Sequence, residues 1–436
     1  MDPTTALSLI AAALVLVPLI LAGVQIGLAL GITGMVGILV FTGGNFTAAS
    51  SQPLIQSLDV GMTYAFIVIP LFIALGTIAG QSGITADLFT AFSRWVGHVP
   101  GGIAVATIGT SAGLASITGS SLGASAAMAK LAMPELRRFA YQDRLSAGAV
   151  SMGGTVAAMI PPSITMVLYG IFSETSIGKM LVAGVLPGLM TCSLYALKIS
   201  VRCKLNPKLG PPGPRYAWRE RLQTLPPILP FFMIVFAIIG GILFGVWTPV
   251  ESAAGGVVMV LVLAIWRRRM TWRKLFFALT DAAIICASIQ IIVVGSLIFS
   301  SFLVLSGFSE LATNAIIALD LSPFGMFCAL VVVYLIIGTM MEVASTLALT
   351  IPLVMPIVAA MGWDPVWFGV ILVSIMEISA VTPPVGLSLY VVKATVPDLS
   401  LTDICMGALP FWLVNLAAIF ILYLFPQIAL VLPGMM

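Results

Sequence analysis

The sequence predicts an all-α polytopic membrane protein made of two inverted repeats, each with a re-entrant hairpin and a proline-broken helix. Three observations predict it: a composition too apolar for water, basic residues gathered into short stretches, and small motifs recurring at a nearly constant interval. Of 436 residues, 60% are hydrophobic and 8% are charged, whereas a soluble chain carries roughly 25% charged residues. Apolar runs repeatedly exceed the roughly 20 residues that cross a bilayer as a helix. Segments 225–247 and 276–305 are examples, the second with Asp281 as its single charge. The N-terminus lacks a basic stretch ahead of 6–22, so that run reads as a first membrane helix and not a secretory signal.

The charges set the topology. Lys198, Arg202, Lys204, Lys208, Arg215, Arg219 and Arg221 form one basic cluster, which includes the break Pro211-Pro212-Gly213-Pro214. Arg267, Arg268, Arg269, Arg273 and Lys274 form another. The 222–266 interval has room for two helices turning near Trp247–Glu251, so both clusters share one side, and the excess of basic residues makes it cytoplasmic. Counting back by helix lengths places Glu174–Lys179 outside and Arg137, Arg138 and Arg144 inside. Arg94 and His98 are then cytoplasmic if segment 100–134 enters and leaves by the same face. Its Gly-, Ser- and Ala-rich centre suits a hairpin whose turn is buried in protein. Counting forward, 276–305 exits to the periplasm, 324–360 is interrupted near Glu342–Thr346, 366–392 returns to Lys393, and 405–432 leaves again. The first hairpin opens to the cytoplasm and the second to the periplasm.

Duplication supports the same division. Ser82-Gly83 recurs as Ser306-Gly307, Met133-Pro134 as Met355-Pro356, Pro161-Pro162 as Pro383-Pro384, and Gly184-Val-Leu-Pro187 as Gly407-Ala-Leu-Pro410. The order is kept and the intervals differ by at most two residues. Opposed copies of one unit are characteristic of secondary transporters. The predicted units are N-terminal scaffold helices over 1–80; a first repeat over 81–200 with arm 84–99, hairpin 100–134 and broken helix 145–172; a basic linker and scaffold helices over 201–305; and a second repeat over 306–436 with arm 308–321, hairpin 324–360 and broken helix 366–392. The arms hold Asp87 and Arg94, or Glu310 and Asp320, and read as helices near the interface.

The candidate chemistry lies at the breaks. Adjacent prolines lack N–H groups and clash with the preceding turn, and carbonyls freed at membrane depth need partners. A cation such as Na⁺ meets that need, with hydroxyls of a facing hairpin tip completing its shell. A plain kink satisfied by water or a hydroxyl is the alternative. The first site gathers Thr118, Gly119, Ser120 and Ser121 opposite Gly153, Gly154, Thr155, Pro161, Pro162 and Ser163. The second gathers Glu342, Ala344, Ser345 and Thr346 opposite Ser379, Thr382, Pro383, Pro384 and Gly386. Glu342 aligns with Ser120 across the repeats. Glu342 and Glu377 both lie in apolar stretches, where an acid is costly and often functional; a hydrogen bond to a helix end is the alternative for each. Five scattered cysteines without a CxxC pair and the lone His98 offer no zinc or haem site. The lone histidine, without HExxH or GxSxG, also leaves a membrane enzyme without machinery.

These residues resemble the large membrane subunit of TRAP transporters (DctM-like), within the ion-transporter superfamily of hairpin permeases. The resemblance covers nearly the whole chain. It rests on Leu114–Glu135, Ile160-Pro161-Pro162-Ser163 with Leu168-Tyr169-Gly170, Trp363-Asp364-Pro365-Val366-Trp367-Phe368-Gly369, Thr382-Pro383-Pro384-Val385-Gly386-Leu387, and the closing Phe425-Pro426-Gln427-Ile428-Ala429-Leu430 with Leu432-Pro433. It implies Na⁺-driven uptake of an organic acid, often a carboxylate such as a C4-dicarboxylate, across the bacterial inner membrane by an elevator-type movement. It also implies a separate small four-helix membrane subunit, a periplasmic substrate-binding protein, and Na⁺ sites between each tip and its broken helix; nothing suggests nucleic acid. Two departures stand out. Glu342-Val343-Ala344 replaces the family's usual second tip with Ser345 displaced by one, and Ser379 stands where Gly often precedes Thr-Pro-Pro. A di- or tricarboxylate symporter of the same superfamily, working without a binding protein, is the nearest alternative; a passive scaffold has no use for duplicated Pro-Pro breaks.

Overall fold

The computed structural model describes residues 3–118, 121–383 and 386–436. The described residues are helical with short connections, and eight of the helices are long and apolar enough to cross a membrane. In chain order the helices used below are α1 (Pro3–Leu21), α2 (Ile26–Phe41), α3 (Gln52–Met62), α4 (Val68–Gln81), α5 (Ile84–Val96), α6 (Gly102–Thr118), α7 (Ser121–Arg138), α8 (Asp143–Ala157), α9 (Ile164–Phe172), α10 (Ile177–Ala183) and α11 (Val185–Leu205). There follow α12 (Leu225–Leu243), α13 (Pro249–Trp266), α14 (Trp272–Leu305), α15 (Phe308–Ile317), α16 (Pro323–Met340), α17 (Val343–Ala360), α18 (Pro365–Ser379), α19 (Leu387–Thr395) and α20 (Leu401–Leu424).

Local sequence explains the boundaries. Gly83 and Gly307 adopt the left-handed conformation, with φ of 77° and 69°, which glycine enters at no steric cost. Each turns the chain out of a long apolar helix into a shorter one, α5 or α15. Thr248 accepts the Glu251 N–H and the Glu251 carboxylate accepts the Thr248 N–H in return, a reciprocal cap that starts α13. Ser322, Asp364 and Ser400 cap α16, α18 and α20 in the simpler way. The last helix departs from the expected 405–432. It begins at Leu401 and stops at Leu424, because Pro426 removes an N–H the next turn would need. The tail then folds back until Met436 lines the same cavity as Gly178 at the start of α10.

Packing interleaves the two halves. Gly148 of α8 meets Gly407 of α20 so closely that a Cβ on either would run into the other helix's backbone. Near that crossing Arg144 donates to Asp403 at 2.6 Å, and Arg137 bridges Asp143 at 2.9 Å and Asp398 at 2.6 Å. The hydrogen bond from Arg137 holds the Asp398 carboxyl below its ordinary range. Tyr169 of α9 donates through its hydroxyl to the Pro365 carbonyl at 2.7 Å, joining the first broken helix to the start of the second. Trp367 donates to the Leu422 carbonyl at 2.8 Å, and Phe327 and Tyr423 pack with centroids 4.2 Å apart, so α16, α18 and α20 share one aromatic cluster.

A second group of helices flanks this body. α2 lies along α14 through Gly27, Gly31, Gly34 and Gly37, a small residue on each turn that lets the backbones approach. α13 and α14 also pack on α4. At the basic end Asp87 of α5 accepts from Arg269 at 2.6 Å and lies 3.5 Å from Arg267. The Pro-rich linker runs beneath the first hairpin: Gly101 donates to Gly210 at 3.1 Å, Gly213 to Gly97 at 2.8 Å and Gln142 to Leu209 at 3.0 Å.

Candidate functional site

Where the two groups of helices meet there is a partly open cavity of about 430 Å³. One wall is α2 and α14, contributing Gln25, Ile26 and Ser288. The other wall is built from chain reversals. It contains Ser121 and Leu122 at the start of α7, Ile164 and Thr165 at the start of α9, Val343 to Ser345 at the start of α17, and Leu387 at the start of α19. Four helix N-termini on this wall, together with that of α2 on the other, therefore border one space. Each carries a partial positive charge and backbone N–H groups without intrahelical partners, and such ends suit anions. None of the described residues lining the cavity is Lys, Arg or His.

The sequence explains why the ends converge. Pro161 and Pro162 separate α8 from α9, and they are joined by a cis peptide. Ser163 then restarts the helix by accepting the Met166 N–H at 3.3 Å. In the second half α18 stops at Ser379, and Gly386 with φ of 51° starts α19. A Cβ at Gly386 would lie 2.8 Å from Leu389 Cδ1, so backbone freedom and close packing both favour glycine there. The Ser388 N–H spans this break to the Ala380 carbonyl at 3.1 Å. Each half thus also presents helix C-termini beside its break, at Ala157 and at Ser379, whose partial charge is negative and favours cations.

The structure sorts the residues singled out from sequence. Ser121, Glu342, Ala344 and Ser345 line the cavity. Gly154, Thr155, Ser163, Thr346 and Ser379 are buried behind it. Gly154 lies against Ser121 and Ser125, where a Cβ would strike the Ser125 hydroxyl and come 2.6 Å from the Ser121 carbonyl oxygen. In the same way Gly338 of the second hairpin lies against the Ser379 side chain. Thr155 donates to the Met152 carbonyl at 2.8 Å, Thr346 to the Glu342 carbonyl at 3.1 Å, and Ser379 to the Met376 carbonyl at 2.6 Å. Thr382 donates to the Ile378 carbonyl at 2.8 Å and accepts from Trp412 at 2.8 Å, so its hydroxyl ties α18 to α20. Pro383 is exposed. Gly119, Ser120 and Pro384 lie outside the described residues, as does the side chain of Thr118.

The two acids part company. Glu342 is the N-cap of α17, its Oε2 accepting from the Ala344 N–H at 3.1 Å and the Ser345 N–H at 3.4 Å. That is the helix-end alternative already given for it. Glu377 instead lies within α18, accepts a hydrogen bond from Ser121 of the first hairpin, and is 1% exposed. Its place on the cavity wall was not among the expected site residues, nor were those of Gln25 and Ser288. Glu377 carried the signal of an acid inside an apolar run, noted in the sequence but assigned to neither site, whereas Gln25 and Ser288 fall outside the pairing of tips with prolines.

Comparison with known proteins accords with this architecture. Residues 13–428 match the model of the DctM component of the tripartite ATP-independent periplasmic transporters. The chain is 30% identical over 406 residues to the C4-dicarboxylate TRAP transporter large permease protein DctM of Pseudomonas aeruginosa, covering 93% of each. It is 27% identical to the sialic acid TRAP transporter large permease protein SiaM of Vibrio cholerae, covering 95% of this chain and 96% of that one. It is 29% identical to the 2,3-diketo-L-gulonate TRAP transporter large permease protein YiaN of Escherichia coli, covering 88% and 89%. Among solved structures, the YdaH transporter of Alcanivorax borkumensis has a similar fold, with a TM-score of 0.61 at 13% identity over 87% of this chain and 89% of that one. The chain belongs to the DctM family: it is the multi-pass large permease of a binding-protein-dependent tripartite transporter, and not an enzyme.

Proposed function

We propose that this permease takes up an organic acid across the bacterial inner membrane, driven by Na⁺, with the acid seated in the cavity between α2/α14 and the helix breaks. The observation that carries this reading is the convergence of four helix N-termini on a space whose described walls hold no basic side chain. A carboxylate there is held by backbone N–H groups and helix dipoles, as in other transporters with discontinuous helices. The C-terminal ends at Ala157 and Ser379 supply the complementary sites for Na⁺, close to the tips singled out from sequence. Binding of the ion and of the acid then favour one another across a short distance.

The cavity lies on the boundary between α2/α14 and the interleaved body, so a sliding movement of that body carries the site from one face to the other, elevator-fashion. In this reading the inverted repeats give the two faces equivalent gates. A separate small membrane subunit pairs with the apolar outer surface, and a periplasmic binding protein delivers the acid. The relatives named above carry different acids, so the family does not fix which one this chain takes.

The test is uptake into proteoliposomes containing the permease and its small subunit, with the cognate binding protein outside. Accumulation is expected only with an inward Na⁺ gradient and only with the binding protein. Uptake without the binding protein moves the chain to the symporter alternative, and indifference to Na⁺ removes the coupling ion. In the same assay Thr382→Ala is expected to weaken activation by Na⁺, while Trp412→Phe, which removes the donor to that hydroxyl and keeps an aromatic ring there, leaves activation unchanged. Equal losses in both variants would reduce Thr382 to a packing role.

A further inference from the structure

We infer that Glu377 selects the substrate: the cavity takes an organic acid that also carries a hydrogen-bond donor, a hydroxyl or ammonium group, and turns that donor toward Glu377. This rests on the proposed seating of an acid in the cavity and adds which acids fit. Glu377 is 1% exposed and accepts from Ser121, yet its Oε2 has no partner among the described residues. Ser345 is fully buried on the same wall, and its hydroxyl likewise has no partner. Both residues line the cavity. Buried polar atoms are nearly always satisfied, and an unmet acceptor on a carboxylate is costly.

The distribution of charge decides what meets it. Glu342 spends one oxygen capping α17, whereas Glu377, which lines the same space, keeps one oxygen without a partner among the described residues. A bare dicarboxylate offers Glu377 no donor, and no basic residue on the described walls offsets its second anionic group. A hydroxylated or aminated acid reverses the balance. Its carboxylate faces the helix N-termini while its donor meets the unpartnered Oε2, and the Ser345 hydroxyl, also without a partner among the described residues, belongs to a residue on the same wall. A site built to bond a donor group discriminates strongly against the analogue that lacks it. Ser121 acts here as a positioning residue, fixing the Glu377 carboxylate from the facing hairpin.

Matched ligands test this directly. The permease, purified with its small subunit in NaCl, is titrated by thermal shift with malate and aspartate against succinate, lactate against propionate, and gluconate against hexanoate. The donor-bearing member of at least one pair is expected to bind at least about tenfold tighter than its counterpart. Glu377→Ala is expected to bring that ratio within about twofold, and Glu377→Gln, which keeps the shape and one accepting oxygen, to fall between. Equal binding within every pair overturns the assignment while leaving the anion site standing. A preserved preference in Glu377→Ala, or a variant that changes only the Na⁺ requirement, also overturns it. If no acid binds, the seating of an anion in this cavity fails, and the assignment with it.

Discussion

Valine at Gly27 is expected to separate α2 from α14 and to abolish recovery of folded permease. A Cβ at Gly27 would lie 2.6 Å from the Ile291 carbonyl oxygen and from the Ile292 Cα, and both are backbone atoms that no rotamer change can move. The seam repeats the condition at Gly34, 2.8 Å from the Phe299 backbone, and at Gly295, which meets the Gly27 carbonyl in return. Overpacking a fixed site costs typically about 1–3 kcal/mol. A backbone clash at the centre of a helix pair belongs at or above the top of that range. In a membrane the seam has no hydrophobic driving force to re-form it once the close contact is lost. Gly61, with open space around it, is the control: Gly61→Ala should leave thermal stability unchanged. The readout is the melting temperature and size-exclusion profile of the detergent-purified chain. A monodisperse Gly27→Val protein with unaltered stability would show that α2 and α14 are not held by this contact, and the fixed wall of the cavity would lose its basis.

The second large effect concerns Glu342, where cap and charge can be separated. Its carboxylate accepts two backbone N–H groups at the first turn of α17. Removing an N-cap acceptor costs about 0.5–2 kcal/mol, concentrated here on the tip that borders the cavity. Glu342→Ala is therefore expected to reduce uptake by about two- to thirtyfold, since each 1.4 kcal/mol is a factor of ten in a population. Glu342→Gln keeps an accepting oxygen and is expected to retain most of the activity. If glutamine is as damaging as alanine, the charge and not the cap is what matters, and a role in ion coupling returns to this residue. The comparison is made on initial uptake rates at matched membrane content.

Much of the architecture was legible because membrane chemistry writes it plainly. Apolar length marked the spans. The Ser-Gly and Pro-Pro pairs marked turns that the structure realises as left-handed glycines and as the separation of α8 from α9. The end of α20 was misjudged because an apolar stretch continues past Pro426, and hydropathy alone does not register a missing N–H. The cavity was only half legible. Local pattern identified Ser121, Glu342 and Ser345, which sit at helix starts. It did not identify Glu377 as a wall residue, because its neighbour Ser121 is more than 250 positions away and only the interleaving of the halves joins them. Thr382 illustrates the converse. Its motif placed it in the second candidate site, and the structure adds hydrogen bonds of its hydroxyl to Ile378 and from Trp412 that no local pattern reveals.

The central claim is that the space between α2/α14 and the helix starts is the transport site, opened to each side of the membrane in turn. Val343 lines that space and is half-buried. In a chain whose own cysteines are replaced by alanine, Val343→Cys is treated with a membrane-impermeant thiol reagent from one side or the other. The account predicts that the cysteine is modified from both sides across the transport cycle, with the favoured side changing when Na⁺ and a transported acid are added together. Modification from one side alone, indifferent to ion and acid, would contradict it.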